Sequence, residues 1–229
     1  MARFGIISAM PVELEGFIKA YGAKELGTKG FYKVYAGKEG DNEIYMACSG
    51  IGKVNAAACT QKLIDCYNVD YLINMGIAGG ISKDLKALDV VIGRAVVYHD
   101  FTPDSLLEKY HPFSRVFNCD ERLVQTTEQV CRTLDVVKRY SIGVVASGDC
   151  FVEKSETKAH ILELGGSCCE MEGAAIGHVA HINSVPFIVI RTISDLADEG
   201  AQMSYEEFER KASEQSNLVV SGLLKALAD

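Results

Sequence analysis

Seven residues of this chain, Phe187-Ile188-Val189-Ile190-Arg191-Thr192-Ile193, run apolar and β-branched with a single charge among them. Such a strand has no polar face to offer water, so it must be covered on both sides, as happens when a sheet lies between layers of helices. It leads into Ser194-Asp195 at its C-terminal edge, where open α/β sheets usually bind their ligands. Earlier in the chain, Cys169-Glu170-Met171-Glu172-Gly173-Ala174-Ala175 brings a second carboxylate, Glu172, to the mouth of a helix expected over Gly173 to Ile182. Each carboxylate has a plainer role open to it, Glu172 as a favourable charge at a helix start and Asp195 as the N-cap of a following turn. Two carboxylates arriving at that edge together read as a site.

The rest of the chain alternates strands and helices. Phe4 to Ala9 reads as a first strand and Pro11 as the first residue of a helix, which puts Glu13 in the first helical turn at a strand-to-helix junction. Strands are expected at Tyr32 to Ala36 and Glu43 to Cys48, around a hairpin-like turn over Gly37 to Asn42. Ser49-Gly50-Ile51-Gly52-Lys53 is a small-residue turn into a helix ending near Tyr67. Asp89 to Tyr98 is rich in strand formers, and Phe101 to Asn118, with Pro103 and Pro112, reads as a polar, irregular loop of lid or interface length. A helix over Glu121 to Leu134, a strand over Ser141 to Ala146 and a helix over Ser155 to Leu164 capped by Ser155 follow. The last helix is expected from about Ser204 to Leu227. This order argues for one α/β domain spanning residues 1–229, with a mainly parallel sheet.

Composition narrows the function. A net charge of -8 and a pI near 5.2 argue against a nucleic-acid partner, which would require clustered cations. No stretch reaches the roughly 18 apolar residues of a membrane span, and the start lacks a signal-peptide core, so a cytoplasmic location is expected. The eight cysteines contain no C-x-x-C spacing, which favours reduced, mostly buried thiols over zinc ligation. His178 and His181 are three apart on a helix, but without H-E-x-x-H or a third ligand they read as helix-surface or interface residues.

Tyr71 to Met75 reads as a strand running into a glycine-rich turn, Gly76-Ile77-Ala78-Gly79-Gly80. The turn fits neither G-x-G-x-x-G nor a P-loop. No Arg or Lys neighbours it in sequence, Arg94 being the nearest Arg, so it reads as a place where backbone meets a neutral ligand or as a cramped turn.

Six motifs in order now carry a resemblance. They are Gly5-Ile6-Ile7-Ser8-Ala9-Met10 with Glu13, Ser49-Gly50-Ile51-Gly52-Lys53-Val54, Gly76 to Gly80, Ser147-Gly148-Asp149, Glu170-Met171-Glu172, and Arg191-Thr192-Ile193-Ser194-Asp195-Leu196-Ala197-Asp198. Together the chain resembles the 5'-methylthioadenosine/S-adenosylhomocysteine nucleosidases, of the purine nucleoside phosphorylase-like superfamily. The resemblance implies a three-layer sandwich with a mixed, mainly parallel sheet flanked by helices, a homodimer, no cofactor or metal, and hydrolysis of an adenine N-glycosidic bond.

Carried onto matching positions, it implies that Asp195, held by Ser194, serves adenine N7, and that Glu13 handles the attacking water with Arg191 nearby. Glu172 would take the ribose hydroxyls, Met171 would pack under the sugar, Phe151 would stack on the base and the Val152 backbone would read its edge. Ala9, Met10 and Ile51 would line the remaining wall. Two departures stand out: Ile77 replaces the family's Ser, and the loop Phe101 to Asn118 lacks its tyrosine- and glycine-rich sequence. The competing readings are a hydrolase for another adenine nucleoside, such as 6-amino-6-deoxyfutalosine or 5'-deoxyadenosine, a nucleoside phosphorylase, and a non-catalytic adenosine-binding protein.

Overall fold

The apolar run becomes β10 (Phe187–Asp195), and Phe187 to Ile190 are all buried in it. The computed structural model describes residues 1–28, 32–195 and 205–228, and the side chains of Thr28, Asp195, Tyr205 and Glu206 lie outside that description. β10 pairs parallel with β5 (Tyr71–Gly80) and antiparallel with β6 (Val90–Tyr98). β6 runs parallel to β8 (Tyr140–Ser147), β8 to β9 (Gly166–Glu170), and β9 returns antiparallel to β5. These five strands therefore close into a ring. From β5 the sheet extends through β1 (Arg3–Ser8) and β4 (Asn42–Cys48), both parallel, to an antiparallel margin of β3 (Lys33–Glu39) and β2 (Lys24–Thr28).

Helices form the outer layers of this single-domain mixed α/β fold. α2 (Lys53–Tyr67) packs on α6 (Gly173–Ile182), while α1 (Pro11–Ala20) and α4 (Glu121–Thr133) pack on α7 (Tyr205–Ala226). The core fills the space between, with Ile6, Ile7, Leu72, Ile73, Ile188 and Ile190 fully buried on the central strands. α4 shows how local sequence sets an end: the Asp120 carboxylate accepts a hydrogen bond from Leu123 N at 3.0 Å, satisfying one of the orphan donors of the first turn.

Several boundaries differ from those expected. β5 does not stop at Met75 but continues through Gly80, because β10 pairs along it from Gly76 to Gly79 and β9 joins at Gly79 and Gly80. The β3–β4 hairpin is tighter than a Gly37 to Asn42 turn, since Gly37, Lys38 and Glu39 all pair with β4. The loop after β6 holds α3 (Leu106–Lys109) and β7 (Val116–Asn118), anchored by buried Leu107 and Phe117. Ser155 does not cap α5 (Ser155–Glu163): it is the first helical residue, and Lys154 occupies the cap position without a side-chain bond. Ser204 lies outside the described residues.

No disulfide joins any of the eight cysteines, all of which are among the described residues, and five of them are buried. His178 stacks on Phe117 at 4.7 Å between ring centroids and lies 3.1 Å from the Tyr98 hydroxyl. Among the described residues, no three His, Cys, Asp or Glu side chains are grouped to hold a metal, and no helix is long and apolar enough to cross a membrane.

Candidate active site

Parallel pairing aligns the C-terminal ends of β1, β4, β5 and β10, and the segments leaving them enclose a cavity of about 280 Å³. Ala9, Met10 and Glu13 reach it from the β1–α1 junction, Ile51 from the turn after β4, and Ile77 from β5 itself. Phe151 and Val152 come from the segment after β8, Met171 and Glu172 from between β9 and α6, and Ser194 from the end of β10. Ten of the twelve residues expected at the site thus line one cavity. Phe151 stands at its mouth, 70% exposed. Asp195 ends β10 opposite Gly79, at the same edge, but its side chain lies outside the described residues, as do Leu196, Ala197 and Asp198.

Glu13 is fixed from three directions. Its Oε2 accepts from Ala9 N and Met10 N, each at 2.9 Å, and its Oε1 accepts from Ile77 N at 3.0 Å. The bond to Met10 N is one half of a capping box, so the carboxylate that closes the start of α1 is turned toward the cavity. Burial raises the pKa of this carboxyl above the usual range, against the opposing pull of Arg191 and of the three N–H donors. The Ile77 side chain lines the cavity, while its backbone supports Glu13.

The glycine segment owes its composition to close approach. A Cβ on Gly76 would collide with Glu13 Oε1 and Arg191 Nη1. Gly76 therefore lets a carboxylate and a guanidinium meet against the strand. The expectation that no cation neighbours this segment is overturned, because the β5–β10 register sets Arg191 directly opposite Gly76. Arg191 is not among the cavity's lining residues. It sits behind the wall, 1% exposed, where Asn74 Oδ1 accepts from its Nη2 at 2.6 Å and Glu170 accepts from the same nitrogen. Burial would lower the Arg191 pKa, but Glu170, Glu172 and Glu13 together hold it raised, so the guanidinium stays charged.

Glu172 occupies the N-cap position of α6 without capping it. Its Oε1 instead accepts from Gly52 N at 2.9 Å, across the cavity rim. Gly52 has φ +97°, a left-handed conformation that glycine takes without strain, and this points its N–H inward. Burial first, then the charge of Glu170, push the Glu172 carboxyl up to about 7, with Arg191 and Gly52 opposing. The capping falls to Glu170, whose Oε2 accepts from Glu172 N at 3.0 Å and Gly173 N at 2.8 Å, while Oε1 accepts from Ser147 Oγ. Ser147 Oγ in turn accepts from Ala174 N at 2.7 Å.

Glu170, Ser147 and Asn74 join the site without any role expected of them from the sequence. The only signal was the repeated carboxylate in Glu170-Met171-Glu172 before a helix of small residues. A further cluster was also missed: Lys53 Nζ lies 2.6 Å from Asp100 Oδ1, and Asp149 Oδ1 accepts from Lys53 N at 2.8 Å, tying the segment that leads to Phe151 to the start of α2.

Buried carboxylates thus gather where β1 and β9 end, on one cavity beside a ring of mixed strands, an arrangement suited to an α/β enzyme. The family model described as the phosphorylase superfamily matches residues 3–225, and the chain belongs to that superfamily. Within it, the chain is similar to the 5'-methylthioadenosine/S-adenosylhomocysteine nucleosidase of Neisseria meningitidis, solved with methylthio-immucillin-A. The two are 33% identical over 98% of this chain and 99% of that one, with a TM-score of 0.89. The nucleosidase of Colwellia psychrerythraea 34H, solved with adenine, is 31% identical over 99% and 96% of the two chains, also at 0.89. Futalosine hydrolase of Helicobacter pylori strain 26695 is 31% identical over 97% of each chain, at 0.86.

Proposed function

We propose that this chain, as a single nucleosidase domain, hydrolyses the N-glycosidic bond of 5'-methylthioadenosine and S-adenosylhomocysteine, releasing adenine and a 5-thioribose. The observation that carries this reading is the pair of buried carboxylates with raised proton affinity, Glu13 and Glu172, on one nucleoside-sized cavity. Glu13 orients the attacking water and takes its proton. Glu172 accepts the ribose hydroxyls, and both stabilise positive charge on the sugar as the bond to the base breaks. Asp195, held by Ser194, protonates adenine at N7, so the base leaves neutral; such acid help is typically worth about 10² to 10⁴-fold. Met171 packs under the sugar, Phe151 stacks on the base and the Val152 backbone reads its edge, while Ala9, Met10, Ile51 and Ile77 complete the wall. Arg191 acts from behind, balancing the carboxylates.

The nucleosidase neighbours support the substrate class, and the futalosine hydrolase neighbour keeps 6-amino-6-deoxyfutalosine as the second reading. The substrates differ at the 5' end, which the framework around Glu13 and Glu172 leaves free. Homodimerisation would complete that end: Tyr110 and Phe113 are 57% and 68% exposed, and neither lines the cavity of its own chain. The enzyme works in the cytoplasm without a cofactor.

The test is incubation with 5'-methylthioadenosine, S-adenosylhomocysteine, 6-amino-6-deoxyfutalosine and 5'-deoxyadenosine, with and without phosphate, while free adenine is measured. Adenine and a free reducing sugar should appear without phosphate. Strict phosphate dependence with a sugar 1-phosphate product would overturn the hydrolytic reading.

A further inference from the structure

We propose that Glu170 is a positioning residue for this reaction, locking the Arg191 guanidinium to the start of α6 so that Glu13 and Glu172 face the cavity as one unit. The inference rests on the reading of Glu13 and Glu172 given above.

Glu170 borders the cavity, but its side chain is only 3% exposed and both of its oxygens are engaged within the protein. Oε1 is taken by Ser147 Oγ, and Oε2 by Arg191 Nη2, Glu172 N and Gly173 N. Through Arg191 it reaches the guanidinium packed against Gly76 and Glu13, and through Glu172 N it fixes the backbone of the residue facing Gly52. One carboxylate thus joins β8, β9, β10 and α6 at the edge where the cavity opens.

A structural role alone explains this poorly. A helix start is capped as well by a neutral Ser or Asn. A third buried carboxylate beside Glu13 and Glu172 adds desolvation and like-charge repulsion, which a merely structural site would avoid. What the charge adds is a hold on Arg191 from the side opposite Glu13, keeping the guanidinium central.

The charge also reaches the titration of the site. Glu170 raises the pKa of its neighbour Glu172, which otherwise faces Arg191, the Gly52 N–H and, more weakly, Glu13. Around Glu170 itself stand Arg191, Glu172, Cys168, and Tyr98 and His99 from the end of β6.

The experiment compares wild type, Glu170→Gln and Glu170→Asp in kcat, KM and the pH profile of kcat/KM for adenine release. Glu170→Gln keeps the shape and removes the charge: kcat should fall about 10- to 10²-fold with KM nearly unchanged. Its acid limb should move down by about one pH unit, because a like charge beside Glu172 is gone. Glu170→Asp keeps the charge and loses the reach, so kcat should fall while the limb stays.

Wild-type kcat and an unmoved limb in Glu170→Gln would overturn the inference, as would full activity in Glu170→Asp. Should Glu170→Gln yield no folded protein in a thermal melt, Ser147→Ala carries the test: it frees one oxygen of Glu170 without changing any charge. A lowered kcat at constant KM is then expected, and an unchanged kcat refutes the proposal. A wild-type chain that releases no adenine from any nucleoside would overturn the proposed function and this inference together. An active wild type with indifferent variants overturns only the inference.

Discussion

Replacing Glu172 by Gln should stabilise the protein above neutral pH while it destroys activity. The wild-type carboxyl is raised from 4.5 to about 7, by burial first and by the charge of Glu170 second. Below pH 4.5 it is protonated in both folded and unfolded chains and contributes nothing to the pH dependence. As pH rises toward 7 the unfolded chain loses this proton while the folded chain still binds it, so folding stability declines through that window and then levels off. At about 1.4 kcal/mol per pKa unit, the penalty at the alkaline plateau is about 3 kcal/mol. That figure is already net of the attraction to Arg191, whose Nη2 is 3.8 Å from Glu172 Oε2, and Gln keeps an acceptor for Gly52 N. A stabilisation of up to about 3 kcal/mol at pH 8 is therefore expected, or roughly 6 to 12 °C in Tm for a chain of this size. Thermal melts of both proteins from pH 5 to pH 9 read it directly. The Tm difference should widen between pH 5 and pH 7.5 and then stay constant. A difference that is flat with pH would mean that Glu172 is not strained by its ionisation and that the account of its burial is wrong.

Glu13→Gln and Asp195→Asn should each lower kcat by about 10² or more in a folded protein, measured as adenine release; full activity in Asp195→Asn would show the acid to be misassigned. Gly76→Ala forces a Cβ into Glu13 Oε1 and Arg191 Nη1, so urea unfolding should show a loss of about 1 to 3 kcal/mol together with a collapse of kcat. Wild-type stability in that variant would refute the close approach. Tyr110→Ala and Phe113→Ala should alter the relative rates on short alkylthio, homocysteinyl and bulky 5' tails by no more than the ~1 to 3 kcal/mol of an apolar pocket contact. Unchanged tail preference, or a fully active monomer, would mean that another segment closes the pocket.

What the sequence conveyed, it conveyed through burial. β10 is apolar on both faces because helices or other strands cover both, and a run of that kind is legible from composition alone. The same logic located β1, β8, α2, α4, α5 and α6 within a residue or two, while α3 lies in the stretch expected to be an irregular loop. β9 escaped because Gly-Ser-Cys-Cys-Glu has no strand propensity of its own; pairing with β5 and β8 makes it a strand. The glycine segment after Met75 was misread for a related reason. Glycine in sequence suggests a turn, whereas here the missing Cβ at Gly76 makes room for Glu13 and Arg191 while the ladder to β10 holds the backbone extended. Glu13 and Glu172 were legible because each stands at a strand-to-helix junction, where side chains reach the sheet edge. Glu170 was not, since its role depends on Ser147 and Arg191, which only the register of β8 and β10 brings to it.

Arg191 changes the basis on which hydrolysis is preferred over phosphorolysis. A buried guanidinium beside a glycine-rich strand is what a phosphate site would use, and the superfamily includes phosphorylases by name. Here that cation is committed: Glu170 and Asn74 take its Nη2, Glu172 lies 3.8 Å away and Glu13 acts on it through space. Three carboxylates surround one guanidinium, so a phosphate dianion entering the cavity would meet excess negative charge in a low-dielectric wall, and among the described residues no Lys or Arg lines that wall to compensate its desolvation. A further cation near the start of α2, Lys53, is held by Asp100 and Asp149. Water carries no charge to desolvate, and Glu13, with its proton affinity raised by burial, is suited to take a proton from it. The carboxylates that repel the anionic nucleophile are those that would activate the neutral one.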